Sequence, residues 1–426
     1  MNDLNIDDVL YQTVILGAIS ISIVKIRSKT LISAATAYWF AWTFVIFAAT
    51  VGIKEGWLAS NGTVALDALL LLHYGAFVGF LIGTLLSPKK SNLKYYELLI
   101  QDAVFITDKY SSKILTIFFI SGAIFLAQKI SMVGFNSDYL TNARNIHNEN
   151  EYSLLSTISS HIAMIANVLL SLIAIKDSKF GVNIRTLVIF IIIGGAMGIA
   201  NGGRGFLLSY LILYFSNLIL CRSAFGKNPS LLSKKEAIQF FLLFVSLLLI
   251  FSVMGFLRGG YGDELDIATN ILSWPASTIG AMDSWISVAM ASTSTYGLNT
   301  LGWFADILHR FGLVNYTDER NAMISILDYF LDVHDSSIFI PRSILPDLIF
   351  DFGENGIFWG MLLTALLLQV FTLSFVGKGI FLHNVAVMGL TSAFATIQTS
   401  IFTPPVVVPL FWSLVLAIYI KYKMKR

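Results

Sequence analysis

Two glycine-arginine clusters, Asn201-Gly202-Gly203-Arg204-Gly205 and Arg258-Gly259-Gly260-Tyr261-Gly262, interrupt long apolar runs. A guanidinium buried and unpaired in such a run costs up to about 3 kcal/mol, so these positions ask for an anionic partner. The flanking glycines let the backbone come close to that partner. The planar fork of arginine suits bidentate recognition of phosphate. Two apolar stretches and a basic loop separate the clusters, so two membrane crossings would return both arginines to the same face. The pair therefore reads as an anion site, with interfacial arginines snorkelling to headgroups as the plain alternative.

The remaining chemistry-bearing residues concentrate in 258–354. That segment carries thirteen acids, four arginines and no lysine. Arg310 and Arg342 are further anion-binding candidates, against surface ion pairs within the acid-rich segment. His334, in Asp332-Val333-His334-Asp335, fits a general base polarised by a neighbouring carboxylate. A solvated loop histidine is the alternative, and His309 is a weaker rival. Asp351 and Glu354 are carboxylate candidates for the same role, or residues at a favourable helix N-terminus. Asp67, His73 and His161 are polar groups at or near membrane depth, where function is the default reading; Asp67 is close enough to a span end to reach water. No HExxH, spaced Cys/His set or EF-hand-like series occurs, so neither a protein-bound metal nor a cofactor is expected. Cys221, the only cysteine, reads as a small buried side chain.

The elements that position these residues follow from composition. Of 426 residues, 56% are hydrophobic and 13% charged, with a mean hydropathy of +0.75. Soluble domains carry about 25% charged residues. The expected fold is all-α, a polytopic transmembrane helical bundle. Apolar runs give about eleven spans, centred in 9–25, 31–51, 64–86, 114–134, 156–175, 186–201, 204–221, 237–257, 355–376, 379–400 and 405–421. Alternate connections hold twenty lysines and arginines against seven, with Lys129 inside a span. The positive-inside rule then puts the N-terminus out and the C-terminus in. Met1 to Asp8 contains Asp3, Asp7 and Asp8 but no lysine or arginine, unlike a signal-peptide n-region, so the first span is expected to remain as an anchor. A net charge of +2, segregated by side, sets nucleic-acid binding aside.

Three regions are expected: an N-terminal bundle over 1–257, an outward lid over 258–354, and C-terminal helices over 355–426. Within the lid, helical spacing of apolar residues recurs at 281–291, 300–311 and 319–333, while Pro341 and Pro346 punctuate the return to the membrane.

This pattern resembles the O-antigen polymerases (Wzy type) of the bacterial inner membrane. The likeness rests on the span number, one long late outward loop, the Gly-Gly-Arg-Gly opening of the seventh span, Arg258 at the start of the loop, and the Leu345-Pro346-Asp347-Leu348-Ile349-Phe350-Asp351-Phe352-Gly353-Glu354-Asn355-Gly356 run. It implies a fold similar to that of GT-C-type lipid-linked glycan transferases. It implies a metal-independent glycosyltransferase acting at the periplasmic face in lipopolysaccharide biosynthesis. Donor and acceptor would be undecaprenyl-pyrophosphate-linked oligosaccharides, with membrane lipid around them and a chain-length regulator as a candidate partner. Arg204 and Arg258 would hold the donor pyrophosphate, Arg310 or Arg342 the second carrier, and His334 by preference would deprotonate the acceptor. Tyr261, Trp274 and Trp303 would stack on sugar rings. An O-antigen ligase, which delivers glycan to lipid A-core, is the near alternative. A transporter or flippase is the alternative from another class, weakened by few buried charges and no visible repeat.

Overall fold

Long apolar sequences with few breakers form helices, and in a computed structural model of the chain they do so throughout the described residues. These are all except 1–4, 57, 59–61, 89–92, 135–153, 201–204, 226–232, 242–244, 246–266, 281, 292–342, 398–403 and 425–426. The helices are α1 (Ile6–Ser28), α2 (Ala34–Lys54), α3 (Thr63–Leu86), α4 (Leu93–Val133), α5 (Leu154–Phe180), α6 (Ile184–Ala200), α7 (Gly205–Phe225), α8 (Ile267–Gly280), α9 (Met282–Ala291), α10 (Leu345–Phe352), α11 (Glu354–Phe375), α12 (Ile380–Ala395) and α13 (Pro404–Met424). No strand occurs among the described residues. Five helical segments there are long and apolar enough to cross a membrane: α1, α2, Val64–Leu86 of α3, Leu115–Val133 of α4, and α11. Every apolar run expected from the sequence coincides with a helix except 237–257, most of which lies outside the described residues.

Local chemistry explains the helix ends. Asn5 caps α1 by accepting from the Asp8 backbone at 2.9 Å, and the Asp8 carboxylate accepts in return from the Asn5 backbone. Lys25 and Arg27 complement the other end of the helix dipole. At the start of α2, the Ser33 hydroxyl accepts from the Thr36 backbone. The basic stretch before the fourth apolar run, expected as a loop, is instead the first half of α4. Its 41 residues contain no proline, and their first glycine is Gly122. The helix is about 62 Å long, roughly twice the hydrocarbon thickness.

The chain divides into two compact units. The first comprises Met1–Lys90, Gly262–Ser374 and Met388–Val407. Here α1 packs on α2 and α3, α8 lies along α2, and α9 and α10 meet each other and α3. A glycine stripe at Gly75, Gly79 and Gly83 lets α3 reach α11 backbone to backbone. A Cβ at Gly75 would lie 2.5 Å from the Phe358 carbonyl, and one at Gly79 would collide with that of Leu362. Such stripes trade side-chain volume for close packing where no water drives association. At one end of this unit the Lys54 ammonium meets Asp7 at 3.0 Å, and the Asp283 carboxylate of α9 accepts from the Gly62 backbone at 2.7 Å. At the opposite end Gln369 of α11 accepts from the Ala35 backbone and donates to the Thr84 hydroxyl. One side chain thereby satisfies an orphan donor of α2 and ties it to α3.

The second unit comprises Ser91–Tyr261, Phe375–Val387 and Val408–Arg426. In it α4 packs on α5 and α6, and α7 on α5 and α6. Phe118, Phe190 and Tyr210 form an aromatic core from three of these helices, with Phe118 and Tyr210 edge to face at 5.6 Å.

Candidate functional site

The run from Leu345 to Gly356 folds into two helices joined at a sharp corner. Pro346 sits in the first turn of α10, where its missing N–H costs nothing. Before it, Ser343 is buried with φ +56°, a conformation rarely held by a non-glycine residue unless its surroundings impose it. Its hydroxyl accepts from the Leu345 backbone, and the Ile344 N–H donates to the Thr396 carbonyl at 2.9 Å. The corner is Gly353, with φ +67°. Beyond it a Cβ at Gly356 would lie 2.5 Å from the Leu348 carbonyl, so α10 and α11 close on each other only because glycine stands there.

Residues 345–351 of α10 are all buried, including the carboxylates Asp347 and Asp351 at 0% and 1% exposure. Four residues apart, they lie on one helix face. Carboxylates withdrawn from water demand compensation by cations, donors or protons, which makes such a pair a candidate for charge or proton chemistry.

A second polar cluster in the same unit centres on His73. His73 is ten residues into α3, about 15 Å from its start, and wholly buried. Its Nδ1 is 2.9 Å from the Tyr38 hydroxyl. The rings of Tyr38, Trp39 and Trp42 surround the imidazole with centroids 5.4 to 5.8 Å away. Trp42 Nε1–H donates to the Thr396 hydroxyl at 3.0 Å. The Thr396 backbone in turn holds Ile344, so a short chain of contacts joins the aromatic box to the entry of α10. Among the described residues, His73 Nε2 and Trp39 Nε1, both fully enclosed, have no hydrogen-bond partner. Two such atoms in one apolar box are costly, which makes the box a candidate for further polar contacts.

The residues singled out by sequence fall into three groups. Asp351 is in the buried face of α10, whereas Glu354 is exposed at the start of α11. Trp274 lies in α8 and His161 in α5, their side chains outside those described. Arg204, Arg258, Tyr261, Trp303, His309, Arg310, His334 and Arg342 lie outside the described residues. Asp67 is exposed in the first turns of α3, while Lys129 is fully buried in α4. Sequence reading passed over Asp347, Tyr38, Trp39, Trp42 and Thr396. The signal for Asp347 was its four-residue spacing from Asp351 in an otherwise apolar octet; for the aromatics it was the Tyr38-Trp39-Phe40-Ala41-Trp42 run.

In the second unit, Arg222 at the end of α7 clamps Glu236 bidentately at 2.8 and 2.9 Å. Glu236 also accepts from Ser233 and the Val182 backbone. Arg222 first, and then Ser233 and Val182, hold the Glu236 carboxyl at about 2. Beside it, Asp177 accepts from the Tyr214 hydroxyl at 2.6 Å and the Asn183 backbone, while burial raises its pKa. These contacts fasten helix ends rather than open a site. Cys221 and His383 form a buried pair at 3.5 Å. His383 Nδ1 accepts from the Gly377 N–H, so Nε2 carries the proton and donates to Cys221. The imidazole cannot then serve as a base for the thiol. Comparison with protein-family models, with curated proteins and with solved structures finds no match to this chain.

Proposed function

We propose that this chain is a glycosyltransferase that polymerises undecaprenyl-pyrophosphate-linked repeat units of O-antigen or a related surface polysaccharide. The observation that supports this reading most is the buried, doubly carboxylated helix α10, formed by the run on which the resemblance to the polymerase family rests. A helical membrane protein with a carboxylate placed away from water at the return of its long acidic segment has the parts such a transfer needs.

In this reading the chain lies in the bacterial inner membrane with about eleven spans of GT-C-like arrangement and its site toward the periplasm. The acceptor sugar hydroxyl attacks the anomeric carbon of the donor glycan, and the bond from that carbon to pyrophosphate breaks. Asp351 takes the hydroxyl proton, in the role that sequence alone gave to His334. Arg204 and Arg258 stabilise the charge on the departing undecaprenyl pyrophosphate, the kind of fixed electrostatic support that lowers such barriers most. Arg310 or Arg342 holds the acceptor carrier, and Tyr261, Trp274 and Trp303 stack on sugars.

The test is reconstitution of the purified protein with lipid-linked repeat unit, resolving products by size. A ladder is expected, and Asp351→Asn should slow its formation by about 100-fold or more, the scale of lost general-base catalysis. Glu354→Gln should retain most activity. No ladder from active wild-type preparations, together with transfer of glycan to lipid A-core, would replace the polymerase by the ligase. An active Asp351→Asn beside an inactive His334→Ala would return the base to His334.

A further inference from the structure

The second unit gathers lysines from two distant parts of the chain. Lys109 and Lys113 lie four residues apart on α4, just before its apolar segment Leu115–Val133. Lys421 and Lys423 close α13 just after its apolar run. The Tyr110 and Tyr419 hydroxyls, 2.9 Å apart, join the two helices at this level, and Ile106 and Ile420 belong to one buried core. The Lys109 ammonium lies 5.5 Å from the Tyr110 ring centre. Tyr419 and Lys423 are four residues apart, so that lysine shares the face that meets α4. The Tyr419 hydrogen bond first, with smaller contributions from Lys109 and Lys423, draws the Tyr110 pKa down against opposing desolvation. All four lysines are exposed, and none has an acidic partner among the described residues. The nearby acid Asp108 is already taken by Lys176.

Four ammonium groups with no acidic partner among the described residues, at the polar boundaries of two apolar helical segments and beside a tyrosine pair, match the headgroup level of a bilayer. Lysine supplies charge there, and tyrosine an amphipathic ring. We infer that Lys109 and Lys423 beside Tyr110 and Tyr419, flanked along their helices by Lys113 and Lys421, form a binding site for the phosphate headgroup of an anionic phospholipid. The bilayer is the source committed to, because both helices deliver their lysines at the apolar boundary rather than to a cavity. The site is independent of the glycan chemistry proposed above and of which membrane face it occupies.

The test is native mass spectrometry of the full-length protein in detergent with dioctanoyl phosphatidylglycerol, phosphatidylcholine or inorganic phosphate added. Preferential retention of phosphatidylglycerol is expected. Its apparent affinity should fall roughly tenfold or more when all four lysines become glutamine, and also fall, less steeply, in a milder Lys109→Gln/Lys423→Gln variant. A control with Lys25, Lys29, Lys234 and Lys235 changed to glutamine should keep wild-type retention. Equal retention of both lipids, unchanged retention in the milder variant, an equal loss in the control, or displacement of the lipid by millimolar inorganic phosphate would each overturn the assignment.

Discussion

His73 owes its interest to what its two nitrogens do differently. Nδ1 is satisfied by Tyr38, while Nε2, enclosed in the aromatic box, has no partner among the described residues. Removing one member of a buried polar pair strands the other, whereas removing both need not. Tyr38→Phe should therefore lower stability by about 1–3 kcal/mol, read as a lower melting temperature in detergent. The double variant Tyr38→Phe/His73→Leu should recover most of that loss. If glycan polymerisation stays impaired in the double variant despite recovered stability, the imidazole has a role beyond packing; full recovery of both makes it structural. At this scale the sequence marked His73 and Asp351 because polar groups are rare in apolar runs. It could not separate Asp351 from Glu354. Three residues apart in sequence, they differ in burial because Gly353 turns the chain between them and leaves one in the core and the other at the surface.

Among elements, the contact between α3 and α11 depends on absent side chains. Gly79→Leu would drive a side chain into the Leu362 carbonyl and the Ala365 methyl, and α11 cannot yield without moving Gln369, which bridges α2 and α3. The expected result is loss of the folded protein or a fall of several degrees in melting temperature. Gly195→Ala, where an added Cβ meets nothing within 4 Å among the described residues, should have no such effect. Equal tolerance at both positions would show that the stripe is not a packing device. The three glycines at four-residue spacing are plain in the sequence, but their partner is not. The α11 backbone comes from nearly 300 residues later, and only tertiary packing identifies it.

For the molecule as a whole, acid stability should follow the Arg222–Glu236 clamp. The Glu236 carboxyl is lowered in the folded state from 4.5 to about 2. Its contribution is therefore fully present above about pH 4.5 and is lost as the pH falls toward 2. Asp177, raised by burial, has the opposite sign and offsets part of that loss. Both side chains of the clamp are largely covered, so Arg222→Ala should cost about 1–3 kcal/mol near neutrality by leaving a half-buried carboxylate without its ion-pair partner, held only by Ser233 and Val182. The melting temperature of that variant should also depend less on pH between 4.5 and 2 than that of the wild type; an unchanged acid transition would remove the clamp from this role.

Since hydrocarbon admits little else for runs of this length and apolarity, composition and periodicity alone established an all-helical membrane protein and the positions of its apolar helices and of α9, though not of α8 or α10. They also drew attention to the return run at Leu345. They did not reveal that α4 continues through its charged first half, because a polar helix and a polar loop share a composition when no breaker intervenes. Only the tertiary structure made α10 a buried helix with two carboxylates on one face, enclosed His73 among aromatic rings, and drew lysines more than 300 residues apart to one helix boundary. Burial and proximity are properties of packing, and packing joins residues that the local pattern of a chain does not connect.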